Sequence, residues 1–248
     1  MKKTALLLSV IILLIGMSST ALAEKPVLRA AAEATFVPFE FVDEKTNKVT
    51  GFDVDLVEAL GEVMGYEIEF LNLSWDGLIP SLLNGNIDVI ASGMSITEER
   101  AKQVNFSEPY FTSVLTIMIK NNNNVIKSLD DLANKTIAVQ ISTTGDFAAE
   151  EIPGVKINRY NTAPEALHNV ILGVADASIL DLPVAEAFLA SNPNAPLKHL
   201  GPVSANDYFG LAMRKQDTEL LTKINAALDQ IKADGTYDKI VEKWFGAK

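Results

Sequence analysis

Short apolar runs of strand length alternate with segments of helical period along almost the whole chain, and this alternation constrains the fold more than any other feature. Strand–helix–strand order argues for parallel sheets covered by helices on both faces, an α/β architecture. Val27–Ala32 reads as a strand, Asp53–Met64 as an amphipathic helix stopped at Gly65, and Tyr66–Leu71 as the next strand. Ile87–Ala91 and Val114–Ile119 are apolar runs of strand length. Ser128–Asp131 reads as a capping box ahead of a strand over Lys135–Gln140, and Thr162–Glu165 as a second one opening a helix to about Gly173. Ala177–Leu180 reads as a strand, Leu182–Ala190 as a helix and Tyr208–Arg214 as a strand. Thr218–Ala233 and Thr236–Phe245 close the chain as helices around the Asp234-Gly235 break.

The amino terminus speaks to compartment. Lys2 and Lys3 precede an apolar run from Ala5 to Ile15, and no further charge occurs before Glu24. That run is short for a bilayer span, and Ala21-Leu22-Ala23 offers a small-x-small cleavage site. Residues 1–23 are therefore expected to be a signal peptide. Cysteine is absent, which leaves no lipid acceptor at the new terminus and removes disulfides, metal–thiolate sites and thiol nucleophiles. A diffusible periplasmic protein is the expectation. The formal charge is −11, and becomes −13 once Lys2 and Lys3 leave with the leader. A nucleic-acid binder needs the opposite sign.

The stretch from Trp75 to Phe111 carries the chemistry. Leu78, Ile79, Leu82 and Leu83 form one apolar helical stripe stopped by Asn84-Gly85, and the Ile87–Ala91 strand follows. Then comes Ser92-Gly93-Met94-Ser95-Ile96-Thr97, a loop of hydroxyls and free amides, with Thr97 able to cap a helix that begins Glu98-Glu99-Arg100. A guanidinium beside such a loop is a suitable receptacle for a small carboxylate. Pairing of Arg100 with Glu98, Glu99 or Glu108 at the surface is the plainer reading. Asp181 closes an apolar strand and precedes Leu182-Pro183, so it can cap the next helix or present a carboxylate where α/β proteins bind ligands. Ser142, Thr143 and Thr144 sit at a strand-to-helix turn, where one of them caps.

This segment resembles the signature region of the periplasmic polar-amino-acid-binding proteins of ABC transporters, the bacterial extracellular solute-binding proteins of family 3. The resemblance covers essentially the whole chain after the leader. It implies the type II periplasmic-binding fold, two lobes each built on a mainly parallel sheet flanked by helices, with two crossover hinge strands near Thr112–Leu115 and Ala205–Phe209. Lobe one would comprise residues 24–113 plus 206–248 and lobe two residues 114–205, a division that patterning alone does not reveal. It implies further that Arg100, with Ser92, Gly93, Ser95 and Thr143, holds a ligand α-carboxylate, and that Asp181 holds the α-ammonium. Phe36 and Trp75 match the two positions that sandwich the ligand side chain. A cation between two rings gains about 0.5–2 kcal/mol from the ring quadrupoles. Phe39 reads as core.

Glu33, at the end of the first strand, matches the position where members that bind basic ligands or glutamine carry an acid. A cationic side chain would pair with it, and an acidic one would be repelled. Leu180 and Gln140 depart from the glutamine-type pattern, and the balance falls on an arginine- or lysine-type L-amino acid. The implied function is capture of that amino acid by closing lobes and delivery to an inner-membrane ABC permease–ATPase complex, by a monomer with no cofactor, no metal and no enzymatic activity. No G-x-x-x-x-G-K-[ST] loop occurs, so transport energy must come from a partner. Two alternatives stand: a receptor for glutamine or another polar amino acid, and a cyclohexadienyl dehydratase-like enzyme with Glu33 as general acid. Output to a sensor instead of a transporter would use the same site. His168 and His199 are expected in a helix and a loop away from the cleft.

Overall fold

The computed structural model describes residues 25–246, so the expected signal peptide over 1–23 lies outside the described residues. The chain opens with β1 (Val27–Ala32), a small antiparallel sheet of β2 (Thr35–Phe36), β3 (Glu40–Val42) and β4 (Val49–Thr50), and then α1 (Phe52–Met64). Phe52, Leu56, Val57 and Leu60 recur at helical spacing and are the buried stripe of α1. Gly65 ends it in the left-handed region at φ 75°. Next come β5 (Glu67–Asn72), α2 (Trp75–Leu83), β6 (Val89–Ile90), α3 (Glu98–Gln103), β7 (Val104–Phe106) and β8 (Phe111–Ser113). The second half begins with β9 (Leu115–Lys120), β10 (Thr136–Gln140), α4 (Thr144–Glu150) and β11 (Lys156–Tyr160). It continues through α5 (Ala163–Leu172), β12 (Ala177–Asp181), α6 (Leu182–Ser191) and β13 (Leu197–Pro202). The chain returns by β14 (Asp207–Phe209) and β15 (Ala212–Arg214) and finishes with α7 (Thr218–Ala233) and α8 (Thr236–Phe245).

Two five-stranded sheets result, ordered β5-β1-β6-β15-β7 and β11-β10-β12-β9-β13. In each, three strands run parallel, as the alternation predicts: β5, β1 and β6 in one, β11, β10 and β12 in the other. Antiparallel neighbours are added beside them, β15 against β6 and β7, and β9 against β12 and β13. These additions accompany the passage between sheets. The chain leaves the first sheet through β8 into β9 and returns from β13 through β14 into β15. β8 and β14 pair with each other as a two-stranded antiparallel ribbon, Ser113 opposite Asp207 and Phe111 opposite Phe209. The apolar strands of the second sheet carry their own core, including Ile117, Ile119, Ile137, Val139 and Ile179.

Several local expectations change. The continuous strand over Tyr208–Arg214 is broken at Gly210-Leu211, because Phe209 pairs in the ribbon while Ala212 pairs in the first sheet. The Ser128–Asp131 capping box does not form a capped helix. Asp131 Oδ2 accepts from the Lys127 and Ser128 amides and from Ser128 Oγ, and only a 3-10 turn over Asp130–Leu132 follows. The Thr162–Glu165 box forms as expected. Asp181 precedes α6 but its side chain makes no capping bond, since Pro183 already lacks one of the amides a cap would serve. His199 lies in β13 instead of a loop, its Nδ1 accepting the Gly201 amide at 3.2 Å, and His168 is in α5. Among the described residues no helix is long and apolar enough to cross a membrane.

Candidate functional site

All nine residues proposed from the sequence to bind ligand line one small cavity between the two sheets. Glu33, Phe36, Trp75, Ser92, Gly93, Ser95 and Arg100 come from the side of the first sheet, and Thr143 and Asp181 from the second. The topology explains the convergence. Glu33 follows β1, the Ser92–Ser95 loop follows β6, Thr143 follows β10, and Asp181 is the last residue of β12. The ends of parallel strands are where side chains from different elements meet without blocking backbone pairing. Glu40, Gln140 and Thr144 complete the lining.

Arg100 is 6% exposed, so the surface-pairing reading fails; Glu99 instead pairs with Lys102. Thr97 caps α3 by accepting the Arg100 amide at 3.2 Å. The guanidinium donates to the Ser95 carbonyl at 2.8 Å and, from the other side of the cleft, to the Ser142 carbonyl at 3.0 Å. It lies over the Trp75 ring at 5.1 Å, and Trp75 Nε1 also donates to the Ser142 carbonyl at 3.2 Å. Among the described residues Arg100 enters no ion pair. Burial pushes its pKa down to about 10, against the pull of Asp207 and Asp181. A guanidinium has five donors, and two carbonyls leave part of its fork open to an anion.

Asp181 is the complementary pole. Its Oδ1 accepts from Ser113 Oγ at 2.7 Å, and no cation pairs with it among the described residues. Burial raises its pKa to about 7; the Ser113 hydrogen bond and Arg100 oppose the rise and Asp207 adds to it. A desolvated carboxylate without a cation is stabilised by any ammonium brought beside it. Asp207, on β14, accepts from Ser95 Oγ at 2.8 Å and acts on both charged poles. Sequence reading missed it and Ser113, although both lie in or beside the expected crossover segments.

At the other end Glu33 Oε2 accepts from Thr35 Oγ1 at 2.9 Å and from Gln140 Nε2 at 3.2 Å. Burial pushes its pKa up. Gln140 thereby joins the two halves of the cavity and also donates to the Asn161 carbonyl at 3.0 Å. Phe36 packs on Phe39 at 5.8 Å, and Phe39 is core as expected, with no exposed surface.

Ser92, Gly93 and Thr143, like Ser95 and Trp75 above, have donors committed within the protein. Ser92 Oγ donates to Glu40 Oε1 at 2.8 Å, and the Gly93 amide donates to Asp53 Oδ2 at 2.7 Å. Thr143 Oγ1 donates to the Gln140 carbonyl at 2.8 Å while capping α4. Thr144, the first residue of α4, lines the same wall with a hydroxyl that is not the cap. Among the described residues no group of three or more His, Cys, Asp or Glu side chains is disposed to hold a metal.

Two lobes of mixed α/β structure enclosing a small cavity with opposite charges define the architecture of a solute receptor. The chain belongs to the bacterial extracellular solute-binding proteins, family 3, whose model matches residues 28–247. It is 34% identical to the probable histidine-binding protein of Neisseria gonorrhoeae, with 93% of this chain and 88% of that protein aligned. It is also 34% identical to the L-arginine-binding protein of Pseudomonas aeruginosa, covering 99% and 97% of the two chains. Among solved structures, an ancestral arginine-binding protein bound to arginine superposes with a TM-score of 0.86 and 45% identity, over 90% of this chain and 99% of that one. An ancestral arginine-binding protein bound to glutamine gives the same values.

Proposed function

We propose that this protein is a periplasmic receptor that captures a basic L-amino acid of the arginine or lysine type between two closing lobes and delivers it to an ABC importer. One observation carries the reading: among the described residues Arg100 has no carboxylate partner and Asp181 no cation, and the two line the same cavity. An α-carboxylate on the first and an α-ammonium on the second would satisfy both. The side chain would then run between Phe36 and Trp75 toward Glu33. The names of the relatives aligned above, and the arginine in the ancestral structure, support the basic class.

The lobes are proposed as residues 24–113 with 206–248, and 114–205, divided at the β8–β14 ribbon. A ligand that touches both favours the closed state by its differential affinity for it. Residues 1–23 are proposed as the leader to the periplasm, and the receptor as a non-enzymatic monomer that docks on a membrane permease. The glutamine reading has support from the glutamine-bound ancestral structure. A dehydratase acting on prephenate, a keto acid, would bring no amine to Asp181.

Calorimetric titration of refolded residues 24–248 against the twenty amino acids, ornithine and citrulline tests this. Tight one-to-one binding of arginine or lysine supports the proposal. Tight glutamine binding keeps the receptor but removes Glu33 as selector. Binding of prephenate or arogenate in place of any amino acid on that panel would overturn it in favour of the dehydratase.

A further inference from the structure

Two acids, one in the cavity wall and one beside it, have no role in holding the ligand as proposed above. Glu40, the first residue of β3, and Asp53, in the first turn of α1, are both fully buried. The backbone brings them together: the Phe52 and Asp53 amides donate to the Pro38 and Phe39 carbonyls at 3.0 and 2.9 Å. Glu40 Oε1 accepts from Ser92 Oγ at 2.8 Å, and that hydroxyl oxygen accepts the Glu33 amide at 3.0 Å. Asp53 Oδ2 accepts from the Gly93 amide and from the Tyr110 hydroxyl, both at 2.7 Å.

Glu40 Oε2 and Asp53 Oδ1 remain, both buried and without a donor, on two carboxyl groups that the hairpin–helix amide bonds bring together and that act on one another. Glu33 acts on Glu40, and Asp53 acts on Tyr110 and Tyr237; among the described residues neither acid enters an ion pair. Two ionised carboxylates here would be acceptors only, each repelling the other in a desolvated site. One shared proton turns both orphaned acceptors into a hydrogen bond. Asp53 takes the negative charge, because two other donors reach it and the N-terminal turn of α1 favours an anion.

We infer that Glu40 is a neutral acid in the folded protein, donating its proton to Asp53, and that this pair positions the Ser92-Gly93 loop and adjusts the cavity charge to a cationic amino acid. Burial and the neighbouring Asp53 both hold the Glu40 proton well above the usual carboxylate range. The charge-matching half rests on the receptor reading. With Glu40 neutral, the charged groups lining the cavity are Glu33, Asp181 and Arg100, one net negative charge facing a ligand with one net positive charge. An ionised Glu40 would add a second uncompensated negative charge. Glu40 is thus a positioning residue: it orients Ser92 through one oxygen, and through Asp53 it holds the Gly93 amide.

Infrared spectroscopy of protein labelled with carbon-13 at the glutamate carboxyls, near pH 8 and well above ordinary glutamate titration, reads the proton directly. A protonated-carboxyl band is expected that persists in Glu33→Gln and vanishes in Glu40→Gln. Its absence from the wild type overturns the inference whether or not any ligand binds. Should Glu40→Gln fail to fold, persistence of the band in Glu33→Gln carries the assignment. Calorimetry supplies the second readout. Glu40→Gln keeps the wild-type ratio of arginine to citrulline affinity within about twofold, while Glu33→Gln lowers it at least about tenfold, the loss expected when a buried charge pair loses one partner. A Glu40→Gln ratio that falls as far as that of Glu33→Gln overturns the neutral assignment. Protein that shows the band but binds neither compound removes the receptor reading and the charge-matching role, and leaves the shared proton standing.

Discussion

Arg100 and Ser142 touch across the cleft: the guanidinium donates to the Ser142 carbonyl at 3.0 Å, joining α3 to the turn before α4. Ser142 holds its carbonyl there from the left-handed region, at φ 59°. The residue proposed to grip the ligand carboxylate therefore also ties one lobe to the other, and its loss should be felt by both binding and closure.

Arg100→Ala is expected to weaken amino-acid binding by about 3 kcal/mol or more, roughly 100-fold, since it removes charge-assisted hydrogen bonds in a desolvated site. Arg100→Lys should recover only part of this, because an ammonium lacks the planar fork. Circular dichroism of both variants should match the wild type, and calorimetry gives the affinities. Unchanged affinity in Arg100→Ala would remove the carboxylate assignment.

Trp75 provides an optical test. The protein has two tryptophans, and Trp75 lines the cavity while Trp244 sits in α8, its Nε1 donating to Asp55 at 2.6 Å. Ligand binding should shift intrinsic fluorescence in the wild type and in Trp244→Phe but not in Trp75→Phe. Trp75→Ala should also cost arginine about 1 kcal/mol through the lost cation–π face.

Asp181 sets a pH dependence. Burial raises its pKa to about 7, and a bound ammonium would lower it again, so binding near neutrality expels a proton. Affinity should rise about tenfold from pH 6 to pH 8 and then level off. Asp181→Asn should bind weakly and lose this slope. Stability without ligand runs the other way. A raised carboxyl pKa means that the native state holds the proton more tightly, so the Asp181 contribution to stability falls as pH rises from about 4 to about 7. Proton release is read by calorimetry in buffers of different ionisation enthalpy.

Gly51 should resist substitution. It adopts φ +140°, and a Cβ there would lie 2.1 Å from the Phe39 carbonyl oxygen. Gly51→Ala is expected to cost about 2–3 kcal/mol and to lower the melting temperature by roughly 5 °C or more. An unchanged melting temperature would show that the β4–α1 junction yields easily.

All three parallel strands of the first sheet, and β10 and β12 of the second, were legible because apolar runs and helical periods are local signals. β11 was missed, because Lys156–Tyr160 alternates apolar residues with Lys156, Asn158 and Arg159 and has no apolar run. The β8–β14 ribbon was not legible either, since pairing Phe111 with Phe209 across almost a hundred residues leaves no local trace. The same limit explains the break at Gly210, where one apolar run serves two sheets. Within the site, residue types were legible: Arg100 stood out beside a hydroxyl-rich loop at a helix start, and Asp181 as a charge closing an apolar strand. The bonding was less so. Nothing in Ser92-Gly93 shows that their donors are taken by Glu40 and Asp53, from a hairpin and a helix some forty to fifty residues earlier. Asp207 was hidden for the same reason, its place beside Ser95 being fixed by the return strand.

The most direct test compares L-arginine with three analogues on the refolded wild-type protein by competition calorimetry. Agmatine lacks the carboxylate meant for Arg100, the deaminated acid lacks the ammonium meant for Asp181, and citrulline keeps the shape of the side chain without the charge meant for Glu33. Each is predicted to bind at least about tenfold more weakly than arginine, because each leaves one buried charged group without its partner. Agmatine or the deaminated acid binding as tightly as arginine would contradict the two-pole account of the cavity.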